Sequence, residues 1–288
     1  MRLFLALIAA DMRNMRRDLT FGFLLISPFV LGVGLRLLIP AAVDFVDQRF
    51  DLSLAAHVPA LIAFFLQLPP LLAGMMIGLF FLEERDSGIT EAYAVVPIGR
   101  SGYLSYRLLE TGVLSIIFTA VAFLLLLPLL SQYTAAWGPS VGGSTTGYPV
   151  AVAGPWRMTA AAIAVLLPSA LAGPLLALFL IICARDKVSG LALAKLSSFV
   201  ILAVPAWYLI PGPAADLLQL VFSVPSFRAW LGLFSVMTAR VDAPGVFLAW
   251  GGPVGGILCC TGAALLLEGL LLVPALWALR RSFRGRKV

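Results

Sequence analysis

The sequence predicts an all-α integral membrane protein in which six transmembrane helices follow an interfacial helix. Of its 288 residues, 61% are hydrophobic and 12% are charged, whereas a soluble domain carries about 45–50% apolar and about 25% charged residues. Six apolar segments are also long enough to cross a bilayer core of about 30 Å. None of them alternates with the period of a barrel strand, so each is predicted to be a helix. A soluble enzyme, a secreted scaffold and a disordered chain are excluded.

The predicted elements follow one another in a simple order. A cytoplasmic interfacial helix over residues 1–20 precedes a transmembrane domain over 21–279 and a basic cytoplasmic tail over 280–288. The six spans are predicted at about 21–39, 58–82, 108–130, 159–184, 189–210 and 252–279.

The first 20 residues are amphipathic. Apolar side chains between Phe4 and Leu19 share one face of a helical wheel, and four arginines share the other. This pattern is typical of a helix that lies on the inner leaflet with its cations near anionic lipid. A signal peptide is the alternative because residues 3–10 are apolar, but the arginines that follow at once oppose translocation.

The segment 211–251 is apolar at helical spacing without forming a clear span. Asp216, Pro225 and Arg228 interrupt a possible seventh span over 214–238. A seventh span would also move the basic tail to the outside. Short re-entrant or interfacial helices that dip into the outer leaflet are therefore predicted between spans five and six.

Lysine and arginine residues are distributed unequally between the two sides of the membrane. Fourteen of the 20 lie in the N-terminal segment, the loop 83–107, the hairpin tip 185–187 and the tail, and only four lie in the other connections. Because basic residues collect on cytoplasmic loops, a multi-pass protein of the cell membrane with both termini in the cytoplasm is predicted. The net charge of +6 is thus a topology signal and does not indicate a nucleic-acid partner.

The loop 83–107 carries the most specific pattern. It contains a dense cluster of charge, a Pro/Gly break and a basic residue at the entry to the third span. A bare turn between antiparallel helices needs only about 2–8 residues, so the length of this loop indicates a further role.

At this loop the chain resembles the permease subunits of type 2 ABC transporters. Their second span runs into a cytoplasmic segment of the form E-R-E-x-G-T-L-E, which is followed by a Pro and later by a Lys. The corresponding residues here are Glu84, Arg85, Asp86, Gly88, Glu91, Pro97 and Arg107. Ile89 and Thr90 stand where Thr-Leu is usual, and Arg107 stands in place of Lys. Among relatives, the chain looks most similar to bacterial drug-export permeases such as those assigned to fluoroquinolone efflux.

The resemblance implies a multidrug-efflux-like ABC exporter whose ATPase is another chain. The sequence contains no G-x-x-x-x-G-K-[ST] phosphate cradle, so this chain is expected to bind no cofactor itself, and ATP and Mg would lie on an ATP-binding cassette subunit, in two copies. A second permease subunit, identical or different, would complete the path for an amphipathic or lipophilic compound. By resemblance, the residues that couple to the ATPase subunit are Glu84, Arg85, Asp86, Gly88, Glu91, Pro97 and Arg100.

A substrate pathway would use aromatic and polar groups inside the spans. The candidates by position on spans one, two and five are Phe29, Phe64, Phe65, Gln67, Trp207 and Tyr208. Glu268 lies near the middle of span six, where a lone carboxylate should be protonated or paired. A structural hydrogen bond to a neighbouring helix is one interpretation of Glu268, and a substrate or proton site is the other.

Two other functions are weighed against the ABC exporter. A proton-coupled secondary transporter would use Glu268, but it is expected to show internal repeats, which this sequence lacks. A membrane-embedded enzyme would need clustered Asp, His or Cys. The acids at 83–91 have no D-x-x-x-D spacing, and the only histidine is His57. The three cysteines lack metal-ligand spacing, and no metal site or catalytic residue is predicted.

Overall fold

A computed structural model describes residues 19–50, 54–89, 99–133, 155–209, 221, 223–237 and 253–285. Across these ranges the chain is helical and contains no strand, which confirms the all-α prediction. The helices are α1 (Leu19–Phe50), α2 (Val58–Phe65), α3 (Leu68–Asp86), α4 (Gly99–Tyr133), α5 (Pro155–Cys183), α6 (Lys187–Leu209), α7 (Ser223–Met237) and α8 (Pro253–Gly285), with a short 3-10 helix over Leu54–His57. The predicted interfacial helix over 1–20 falls almost entirely outside the described residues.

Within the described part of the chain, five helical segments are long and apolar enough to cross a membrane. These segments are Leu25–Phe50, Val58–Asp86, Gly102–Leu130, Ala162–Cys183 and Ile257–Trp277. The second combines α2 and α3, which are separated only by a turn at residues 66–67. Helix α6 occupies the fifth predicted span, and its crossing of the membrane as a sixth helix stays a prediction.

Helix α5 lies at the centre of the bundle and packs against α3, α4 and α8. Glycine permits its two closest crossings. A Cβ atom built on Gly74 would overlap the carbonyl oxygen of Gly173, and one built on Gly112 would lie 3.0 Å from the carbonyl oxygen of Ala170. Gly74 and Gly78 form a GxxxG pattern, which brings helices close together either within a chain or between chains. Here both glycines pack against α5 of the same chain.

Helix α7 is buried in the bundle. It packs against α8, α5, α6 and α2, and the rings of Trp230 and Phe234 lie 5.2 and 6.3 Å from the ring of Phe123 on α4. Pro225 is its third residue, a position where the missing N–H costs no helical hydrogen bond. At about 1.5 Å per residue, its 15 residues are too short to cross the membrane. α7 lies where the second of the predicted short helices was expected, and the first lies outside the described residues, apart from Val221.

Candidate functional site

One polar cluster forms where the last turns of α3 and α5 meet the first turns of α4 and α6. We call it the polar end of the bundle (residues 83–89, 103–110 and 181–189). Its centre is an ion pair between Glu84 of α3 and Arg107 of α4. Arg107 Nη2 donates to Glu84 Oε1 at 2.6 Å, and these side chains are 1% and 9% exposed. Tyr103, one turn before Arg107, donates its hydroxyl to Glu84 Oε2 and accepts a hydrogen bond from Arg107 Nε at 2.7 Å. The three side chains therefore form a closed buried network.

The guanidinium of Arg107 is also enclosed by aromatic rings. It lies 4.4 Å from the centroid of the Phe80 ring and 5.1 Å from that of Tyr103, and its Nη1 donates to Glu110 at 2.8 Å. A planar guanidinium can stack on rings while it donates in several directions, which a lysine ammonium cannot do. This geometry suits an arginine at position 107, where the type 2 ABC permeases that the loop resembles have Lys.

Arg85 binds the carboxyl end of α5. Its guanidinium donates to the carbonyl oxygens of Ile181 at 3.5 Å, of Ala184 at 3.0 Å and of Arg185. The last carbonyls of a helix have no partner within the helix and carry its negative dipole end, so a cation placed there stabilises it. Arg85 thus links the end of α3 to the end of α5, although the two are separated by about a hundred residues.

A second link joins α3 to the first residue of α6. Lys187 Nζ donates to Glu83 at 2.8 Å, and the Lys187 backbone N–H donates to Asp86 Oδ2 at 3.2 Å. The side chains of Lys187 and Glu83 are 43% and 45% exposed. This pair lies at the surface, in contrast to the buried pair of Glu84 and Arg107.

Asp186 caps the start of α6. Its Oδ1 accepts the backbone N–H of Ser189 at 2.7 Å, and the Ser189 hydroxyl accepts the backbone N–H groups of Arg185 and Asp186 at 3.0 Å each. The backbone hydrogen bond from Ser189 is the main cause that lowers the pKa of Asp186 below its ordinary value. The hairpin tip 185–187 therefore includes an ordered N-cap for α6. Further along α6, the side chain of Lys195 is exposed.

The remaining residues predicted to couple to an ATPase are described only in part. Gly88 follows the end of α3 with a φ of +75°, a left-handed conformation that favours glycine. Glu91 and Pro97 lie outside the described residues. Arg100 lies in the first turn of α4, and its side chain also falls outside the described part of the chain.

The predicted substrate-pathway residues divide into groups. Phe64 and Phe65 lie at the end of α2 with ring centroids 5.3 Å apart, and Gln67 is buried in the turn that follows. Phe29 on α1 is 51% exposed. The structure therefore brings Phe64, Phe65 and Gln67 together at the break between α2 and α3, and the side chains of Trp207 and Tyr208 are outside the described residues.

Glu268 is fully buried on α8, with 0% of its surface exposed. Neither carboxylate oxygen has a hydrogen-bond partner among the residues that the structure describes, and the same holds for the buried hydroxyl of Thr261 on the same helix. The structural hydrogen bond to a neighbouring helix, one of the two interpretations from the sequence, is not formed within this part of the chain. The described ranges also contain no group of three or more His, Cys, Asp or Glu side chains that could hold a metal ion.

Sequence reasoning did not identify the contacts that assemble the polar end. The partners of Glu84 and Arg85 were not foreseen, and neither was the contact between Glu83 and Lys187. The spacing of Tyr103 and Arg107 by four residues was the one available signal, because it places both on the same face of a helix.

The fold and the polar end define a class of protein, a multi-pass helical membrane protein. Comparison with known proteins identifies the family within that class. The family described as "Fluoroquinolones export permease protein Rv2686c-like" matches residues 11–141 and 133–267, which is most of the chain. This chain belongs to that family of permeases, and the predicted similarity to bacterial drug-export permeases is confirmed.

Two curated relatives carry the same description. They are the fluoroquinolones export permease proteins of Mycobacterium tuberculosis strains CDC 1551 / Oshkosh and ATCC 25618 / H37Rv, each 28% identical to this chain over 109 residues. The aligned region is 38% of this chain and 43% of each relative, so the chain spans less than half the length of the curated relatives it matches. No solved structure matches the chain.

Proposed function

We propose that this chain is the membrane-spanning permease subunit of an ABC exporter. A separate ATP-binding cassette subunit hydrolyses ATP, and a second permease half, identical or different, completes the path for an amphipathic or lipophilic drug-like compound. The observation that carries the proposal is the polar end, together with membership of a family described as export permeases. α6 is the sixth crossing in this proposal, and the polar end and both termini face the cytoplasm.

The architecture of the polar end suits a coupling element. The last turn of α3 makes three links to other helices: Glu84 pairs with Arg107 of α4, Arg85 binds the end of α5, and Glu83 pairs with Lys187 of α6. A partner that displaced this turn would therefore act on four helices at once. A helix end that was merely solvated would not need three separate links to distant parts of the chain.

Within this proposal, the residues of the loop have different roles. Glu84 is too buried to contact another subunit directly, so its role is to hold the loop against α4. Asp86 and Gly88 are exposed, and we expect an ATPase subunit to contact them together with Glu91 and Arg100.

Co-purification from the native host tests the proposal. The tagged full chain is purified in mild detergent, and an ATP-binding subunit is sought by mass spectrometry. Glu91→Lys and Arg100→Glu are expected to lose that subunit, whereas Asp44→Lys, at an exposed position on α1, is expected to retain it. Reversal of Glu84 is a poor test because it would break a buried ion pair. Purification of the chain alone would contradict the proposal.

A proton-coupled secondary transporter is the second candidate, and the observation that favours it is the burial of Glu268 with no hydrogen-bond partner among the described residues. Transport into inverted membrane vesicles separates the two mechanisms. An ABC exporter requires ATP and continues after a protonophore is added, whereas a proton-coupled carrier stops when the proton gradient collapses even though ATP remains. Substitution of Gln67 or Trp207 in the same assay is expected to change selectivity without changing assembly.

A further inference from the structure

Two buried polar groups on one face of α8 have no described hydrogen-bond partner. Glu268 and Thr261 are seven residues apart, which places them on the same face about 10 Å from each other. Both are buried, and Ala264, which lies between them on this face, is 0% exposed. Buried polar groups in proteins are nearly always hydrogen-bonded, so two such groups on one helix face require an explanation.

The surroundings of Glu268 are apolar on both sides along the helix. Toward the outer end, Ile257 and Cys260 belong to the hydrophobic cluster that contains α7. Toward the polar end, Leu272 and Leu276 pack against a second cluster that contains Leu178 of α5. The carboxyl group therefore lies between two hydrophobic clusters, near the middle of the segment Ile257–Trp277.

A carboxyl group in such a place is costly to keep unless it acquires a partner in some state of the protein. Arg85, Arg107 and Lys187 make four described ion pairs at the polar end. None of these pairs includes Glu268. A ligand that carries both a positive charge and apolar groups would satisfy the carboxylate and the surrounding clusters together.

Helix α8 is placed so that such a ligand could reach this face from the membrane. Its opposite face is open, with Leu266, Leu270 and Val273 each more than two-thirds exposed. Pro274 lies within the helix and cannot donate to the carbonyl oxygen of Leu270, which removes one hydrogen bond from the helix close to Glu268. Leu272, one turn after Glu268 on the same face, packs against the cluster that contains Leu178 of α5, so a displacement of α8 from that cluster would open the face that carries Glu268.

We propose that Glu268, with Thr261, forms a binding site inside the membrane for a lipophilic organic cation, such as a compound with a protonated amine or an onium group. The carboxylate pairs with the positive charge, the Thr261 hydroxyl accepts or donates a hydrogen bond, and the two hydrophobic clusters contact the apolar body. This inference names a substrate class for the proposed exporter, and it rests on that proposed function only for the statement that the bound cation is then exported.

Equilibrium binding to the purified full chain in lipid nanodiscs tests the site. Tetraphenylphosphonium is the cationic probe, and tetraphenylborate, which has nearly the same shape and the opposite charge, is the control ligand. Glu268→Gln is expected to weaken phosphonium binding at least about tenfold, because a charge-assisted contact in an apolar site is lost. Glu268→Asp is expected to retain most of the affinity, and Asp44→Asn, an exposed acid on α1, is expected to retain all of it.

A measurement on the unmodified protein covers the case in which the variants do not fold. Dicyclohexylcarbodiimide is an apolar reagent for buried carboxyl groups, and mass spectrometry reports its modification of Glu268. Phosphonium is expected to slow this modification, and borate is not. Unchanged phosphonium affinity in Glu268→Gln, no saturable phosphonium binding by the wild type, or no protection from the carbodiimide would each overturn the inference.

These outcomes can be separated from failure of the exporter proposal. If ATP-driven export of an uncharged lipophilic dye continues while phosphonium binding does not depend on Glu268, the exporter stands and the cation site is rejected. If no ATP-binding subunit co-purifies but phosphonium binding requires Glu268, the cation site stands and the exporter proposal is rejected.

Discussion

Glu84 and Arg107 form a buried ion pair across the loop that separates α3 from α4, with Arg107 Nη2 donating to Glu84 Oε1 at 2.6 Å. The pair is 23 residues apart in sequence and is completed by the hydroxyl of Tyr103. Removal of one partner leaves the other charge buried and unpaired, which is the most costly outcome for such a pair.

Glu84→Ala and Arg107→Ala are each expected to destabilise the protein by about 3–5 kcal/mol, because each leaves an uncompensated buried charge. Equilibrium unfolding in mixed detergent micelles, arranged as a double-mutant cycle, measures the coupling. The exposed pair of Glu83 and Lys187 is the matched control, and its cycle is expected to give about 0–1 kcal/mol. Equal coupling energies for the two pairs would contradict the difference in burial.

Arg85→Gln is expected to loosen the connection between α5 and α6, because the carbonyl oxygens of Ala184 and Arg185 lose their cation. Trypsin cleavage after Arg185 and Lys187, followed by mass spectrometry, is expected to become faster. Arg85→Lys should restore protection only in part, since an ammonium lacks the planar fork that reaches several carbonyls. Arg36→Gln, on α1, is the control variant. If trypsin cleaved this variant after Arg185 and Lys187 as fast as it cleaves Arg85→Gln, the specific role of Arg85 would be rejected.

The cap of α6 is expected to depend on pH through Asp186. Its pKa is lowered in the folded protein, so the stabilisation is present above the unfolded pKa and is lost as the pH falls through the lower folded pKa. Hydrogen exchange of the Ser189 amide, corrected for its intrinsic rate, should therefore show weaker protection in strong acid than near neutral pH. In Asp186→Asn the amide oxygen still accepts the Ser189 N–H, so its protection should not depend on pH in this range. The same loss of protection in both proteins would assign the effect to another group.

Gly74→Ala is expected to destabilise the bundle by about 1–3 kcal/mol, because the added methyl group would overlap the carbonyl oxygen of Gly173 and force α3 away from α5. Gly262 on α8 is the control, since a Cβ atom there meets nothing within 4 Å. Gly262→Ala should be neutral or stabilising by up to about 1 kcal/mol, as alanine favours the helix. Thermal unfolding of the two purified variants in detergent compares them, and a stable Gly74→Ala protein would show that this crossing is not tight.

Properties that depend on local sequence could be predicted without the structure. The low content of charge and the long apolar segments predict membrane helices, because burial of each segment in lipid is decided by its own side chains. The motif at Glu84, Gly88 and Pro97 identified the family for a similar reason, since its residues lie close together in the chain.

Contacts between distant segments could not be predicted in this way. The rotation of each helix about its axis depends on how its small residues pack against a neighbour, as at Gly74 and Gly173, and hydropathy along one segment does not report that rotation. Sequence reasoning therefore placed Glu84 on a partner-facing loop, although its side chain is buried against Arg107. The same limit applies to Arg85, whose carbonyl partners are about a hundred residues away.

The sequence by itself determined that this is an all-helical membrane protein of the drug-export permease family, because composition, apolar segment length and a local motif are sufficient for that. Only the tertiary structure decided which charges are paired, which glycines lie at helix crossings, and that Glu268, which the sequence had singled out, lies between two hydrophobic clusters. The physical reason is that desolvation and pairing energies belong to the assembled surroundings of a side chain, and neighbouring residues in the chain supply only part of them.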